Sequence, residues 1–114
     1  MSIIAVLKIV ASLGTIATGA YSLIWPTRIK DFTGLDVTGP RGVTEIRSIL
    51  GGFFIGLGAA AILLNASTAY QLLGITYIVV AITRSFSMFI DRSVSQSNVI
   101  SVLAEVVLGV ILMA

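Results

Sequence analysis

Four apolar stretches occupy nearly all of this chain, covering residues about 2–25, 40–64, 69–90 and 98–114. About 20 apolar residues suffice to cross the hydrocarbon core of a bilayer, so each stretch is long enough to be a membrane-spanning helix. The connections between them are short, and short connections make consecutive helices antiparallel. The fold expected is therefore all-α, a four-helix transmembrane bundle running up-down-up-down as a single domain over residues 1–114. The first stretch reads as a span rather than a signal peptide, because it is too long and carries Lys8 inside it.

Composition narrows the chemistry. Charged residues make up 11% of the chain, against about 25% in an ordinary soluble domain. The formal charge of +2 is scattered, which excludes a nucleic-acid partner. There is no histidine and no cysteine. That removes haem and iron–sulfur ligation, the usual zinc sites, disulfides, and nucleophilic catalysis by Cys–His or Ser–His pairs. No metal and no cofactor is expected.

Trp25-Pro26 closes the first helix at the depth where tryptophan anchors in the interface. The loop at about 26–39 follows, in which Ile29, Phe32 and Leu35 suggest a short amphipathic turn on the bilayer surface. Thr38-Gly39-Pro40 reads as a helix start, since proline at the first helical position costs little. Arg28, Lys30, Arg41 and Arg92 all fall on the loop side. The positive-inside rule then puts that loop in the cytoplasm and both termini outside.

Helical spacing sorts the polar residues onto faces. Lys8, Ser12, Thr15, Gly19 and Ser22 share one face of the first helix. Glu45 aligns with Ser48, Gly52, Gly56 and Ala59/Ala60 on the second. Tyr70, Tyr77, Arg84 and Asp91 follow one another at sevens on the third, and Asn98, Ser101, Glu105 and Gly109 align on the fourth. Trp25 and Tyr70 read as interfacial belt residues.

An ionised residue inside a membrane helix is expensive and usually has a partner. At about 1.5 Å per residue, Glu45, Arg84 and Glu105 all lie roughly 7–12 Å in from the loop side. They are the expected charge cluster, with Tyr77, Ser101 and Ser48 around it as candidate ligand-binding residues. Arg47 points elsewhere, to a second site or a subunit contact. Gly52-x-x-x-Gly56-x-x-x-Ala60 is the expected helix-packing face, serving the bundle or a homo-oligomer.

Gly34-Leu35, Glu45-x-Arg47-x-x-x-Gly51-Gly52-x-x-x-Gly56-x-Gly58 and the late Arg84 together resemble a known family. It comprises small bacterial four-helix integral membrane proteins described only as a domain of unknown function, loosely similar to DoxX-like proteins. The resemblance implies the four-helix fold and a bacterial cytoplasmic (inner) membrane. It implies no activity.

The leading expectation is an intramembrane cleft, beside the Glu/Arg cluster, that binds a small amphipathic or lipid-like molecule. Membrane lipid is the other expected partner. A proton-coupled small-molecule transporter working as a dimer is the first alternative. Small multidrug transporters place their key glutamate in the first helix, however, and this first helix has none. An accessory or structural subunit is the second alternative. An enzyme with paired carboxylates is disfavoured by the cation among them.

Overall fold

Local chemistry sets the ends of each helix. Ser2 caps helix α1 (Ile3–Ile24), its hydroxyl accepting the Ala5 N–H at 3.1 Å. The helix stops before Trp25-Pro26, because a residue preceding proline avoids the helical region. A single turn, α2 (Lys30–Thr33), ends at Gly34, whose φ of 76° is left-handed and whose N–H bonds back to Lys30. Glycine alone takes that conformation without strain. Pro40 opens the next helix, α3 (Pro40–Leu64). Asn65, also left-handed at φ 45°, turns the chain into α4 (Ser67–Ile90). Ser95 then caps α5 (Gln96–Met113) by accepting the Asn98 N–H at 3.2 Å.

The computed structural model describes residues 1–114 and is all-helical, without strands. Helices α1, α3, α4 and α5 are long and apolar enough to cross a membrane. Their outer surfaces are apolar and exposed, Leu63 and Phe89 to 83% and 80%. Surfaces of that kind are at home in lipid rather than water.

The chain forms two compact units, Ser12–Leu64 and Met1–Ala11 with Asn65–Ala114. In the first, α1 and α3 cross through glycine. A Cβ on Gly19 would sit 2.6 Å from the Gly51 carbonyl, and one on Gly58 would sit 2.6 Å from the Ser12 carbonyl. Small residues permit this backbone approach. Low numbers on α1 meet high numbers on α3, so the two helices are antiparallel within the unit. Ser12, Thr15 and Ser22 of the α1 stripe are buried.

One part of α3 departs from α-helical geometry. Residues Ile46–Phe53 form a π-helix, with about five residues to each hydrogen-bonded turn. The buried residues there are Ile46 and Gly51, one such turn apart, followed by Gly58 and Ala61. The sequence pattern assumed α-helical spacing and put Gly52, Gly56 and Ala60 on the packing face. All three are exposed, and nothing lies within 4 Å of a Cβ built on Gly56. The wider turn shifts the register and hands the close contacts to the neighbouring glycines.

In the second unit α4 and α5 form an antiparallel hairpin. Gly74 and Gly109 lie at its tight crossing, where a Cβ on Gly74 would come within 3.0 Å of the Gly109 carbonyl. Leu73, Ala81, Met88 and Leu112 fill its buried side. Tyr70, expected in the interfacial belt, is buried instead at 6% exposure. Its hydroxyl holds Asn65 at 3.1 Å and the Lys8 ammonium lies 5.8 Å from its ring centre.

Candidate functional site

Arg84 and Glu105 meet across the α4–α5 hairpin. Arg84 Nε donates to Glu105 Oε1 at 2.9 Å and Nη2 donates to Oε2 at 2.9 Å, a side-on bidentate pair. Nη1 donates to Asn98 Oδ1 at 3.1 Å, and Asn98 Nδ2 donates in turn to the Ser93 carbonyl at 2.8 Å. Glu105 is buried and Arg84 is about one-third exposed. The network joins the middle of α5, the middle of α4 and the turn between them. A bidentate arginine–carboxylate pair with its remaining contacts filled is strong and geometrically specific. Asn98 was legible as part of the polar stripe on the fourth stretch, though not as a ligand of Arg84.

The other expected members of the cluster lie elsewhere. Glu45 belongs to the unit Ser12–Leu64, is exposed, and forms an ion pair with Arg41 one turn earlier in α3. Ser48 and Arg47 are also exposed. The cause is the π segment: the inward positions at this end of α3 are Ile46 and Gly51, so Glu45 and Ser48 turn outward and a local arginine satisfies the carboxylate. Tyr77 is partly buried on α4. Ser101 is partly buried on α5, its hydroxyl donating to the Ser97 carbonyl at 2.9 Å.

Beside the clasp, the hairpin has only a shallow apolar groove of about 140 Å³, lined by Ser85, Met88, Phe89, Val99, Val102 and Leu103. A larger cleft of about 450 Å³ lies in the other unit, between the last turns of α1 and the segment around α2. Its α1 wall is Ala17, Thr18, Tyr21 and Ser22, and the facing wall runs from Arg28 through Asp31 and Phe32 to Thr33. Small-molecule sites typically have volumes of about 300–1,000 Å³, so the cleft is large enough to hold a ligand.

The fold builds this cleft from three local features. Ile29 is buried at 5% exposure and pins α2 to the unit. Gly34 lets the chain turn back after one helical turn. Trp25 packs at 5.4 Å on Tyr21 and lies under the Arg28 guanidinium at 5.5 Å, which holds that side chain at the mouth. The hydroxyls of Thr18, Ser22 and Thr33 donate to carbonyls one turn back in their own helices, so their polarity is largely spent. The open charges of the cleft are Arg28 and Asp31. The apolar pattern of Ile29, Phe32 and Leu35 marked the turn in the sequence, but nothing there signalled that it would enclose a cavity.

No curated protein and no solved structure matches the chain. A family profile matches residues 3–114, and on that match the chain belongs to the family described as Domain of unknown function (DUF4345).

Proposed function

We propose that the protein is a multi-pass protein of the bacterial cytoplasmic membrane that holds a small amphipathic, lipid-like molecule in the cleft between α1 and α2. The four helices stand up-down-up-down, with the loop at 26–39 cytoplasmic and both termini outside. The loose DoxX likeness of the Glu45-x-Arg47 region agrees with this fold and adds no activity. What supports the binding role is the cleft itself. Thr18 lies about 9 Å inside the end of α1 at 1.5 Å per residue, so the cavity reaches from headgroup level into the acyl region. Its mouth carries Arg28 and Asp31, while Ala17, Tyr21 and Phe32 give it apolar walls.

Arg84 and Glu105 take a structural part in this reading, as a clasp for the hairpin. A proton-coupled transport role for Glu105 gains no support from a carboxylate with both oxygens already held by one guanidinium.

Native mass spectrometry of the protein in mild detergent tests the assignment. Ala17→Phe fills the cleft and is expected to lose most of the co-purifying amphiphile, while Glu105→Gln keeps it. Equal retention by wild type and Ala17→Phe would refute the cleft. Loss with Glu105→Gln alone would return the site to the hairpin.

A further inference from the structure

The two open charges identify the head of the ligand, granted the binding role proposed above. Arg28 and Asp31 line the same cleft one turn apart, joined only through the Asp31 N–H, which donates to the Arg28 carbonyl at 3.3 Å. Their side chains form no ion pair with each other. Arg41 and Glu45 do pair at comparable spacing, as do Arg84 and Glu105 across the hairpin. The Arg28 guanidinium rests on the Trp25 ring and the Asp31 carboxylate accepts no hydrogen bond within the chain. The cleft therefore offers a cation and an anion side by side, with no net charge in its lining.

Such a pair discriminates by sign. A head with only negative charge gains Arg28 but is repelled by Asp31, and a purely cationic head meets the opposite conflict. A zwitterionic head satisfies both. Guanidinium matches a phosphate with parallel N–H donors. A carboxylate has acceptor sites and no donor, so it prefers an ammonium that brings N–H groups. A quaternary ammonium brings none and is usually bound by open aromatic faces. Here a Trp25 face is already covered by Arg28, and Tyr21 packs tilted against the same ring.

We infer that the cleft takes an amphiphile whose head carries both a phosphate ester and a primary ammonium, the phosphate against Arg28 and the ammonium against Asp31, with its tail beside Ala17, Tyr21 and Phe32.

The test uses the full chain in nanodiscs holding equal amounts of three phospholipids with identical tails and phosphoethanolamine, phosphocholine or phosphoglycerol heads. Lipids retained after release into the gas phase are counted. The wild type should retain the ethanolamine-headed lipid at least threefold over each of the others. Asp31→Asn should erase that preference, and Arg28→Gln should lower retention of all three heads several-fold. Helical content and size-exclusion profile establish that each variant is folded. If the wild type retains all three heads equally while Ala17→Phe still loses lipid, the head assignment fails and the cleft stands. If Ala17→Phe retains as much as the wild type, the cleft fails as well. Soluble glycerophosphoethanolamine, added in excess, should leave retention unchanged. Displacement by it would make the ligand a free head-group compound and overturn the lipid assignment.

Discussion

Arg84 holds both carboxylate oxygens of Glu105 from the side, through Nε and Nη2, each at 2.9 Å. The glutamate is buried while the arginine keeps one edge accessible. Breaking such a pair from one side leaves a buried charge uncompensated, a change that costs about 3–5 kcal/mol. Arg84→Ala is expected to lose stability on that scale in reversible unfolding in mixed micelles. Replacing both partners, Arg84→Met with Glu105→Met, should leave stability near the wild type or above it, because the desolvation cost disappears with the charges. A double variant as unstable as the single one would show that the pair is more than a clasp.

The register of α3 predicts opposite outcomes at two glycines two residues apart. A side chain on Gly58 must enter space held by the Ser12 carbonyl 2.6 Å from its Cβ, whereas one on Gly56 meets nothing within 4 Å. Gly58→Val should cost about 1–3 kcal/mol through overpacking. Gly56→Val should stay within about 0.5 kcal/mol of wild type, as expected for an outward position. The same unfolding titration measures both. A comparable loss at Gly56 would place a second helical surface against the exposed face.

Orientation is open to direct labelling, since the chain contains no native cysteine. Single cysteines at Ser2, Asp36 and Ser67 should react with a membrane-impermeant maleimide from the outside at positions 2 and 67, and from the cytoplasm at 36. Reaction of position 36 from outside would invert the topology.

Helix boundaries were legible wherever a residue imposes backbone geometry. Pro40 begins α3 as its missing N–H requires, and Trp25-Pro26 ends α1. Helix α5 begins at Gln96 rather than at the expected 98, because the Ser95 hydroxyl caps the first turn. Helix α4 begins at Ser67 rather than 69, since Asn65 completes the reversal alone. Depth along the spans was enough to anticipate that Arg84 and Glu105 could meet. Depth alone failed for Glu45, because its direction depends on a π turn that α-helical periodicity does not contain. The cleft escaped notice for a similar reason. Its walls are apolar and polar residues of ordinary kinds, brought together by the reversal at Gly34 and the burial of Ile29.

The π segment also says something about how this protein tolerates change. A π turn is what an α-helix becomes when one extra residue is absorbed without moving either end. Between Pro40 and Leu64 the chain thus carries a slack residue, stored beside the Gly51-Gly52 pair where no bulky side chain resists the widening. Deleting one residue there would not shorten the span below what a bilayer needs. It would instead rotate everything from Phe54 onward by about 100° against the preceding turns, carrying Gly56 toward α1 and Gly58 away from it. The second span therefore contains two alternative faces, and a single codon separates them.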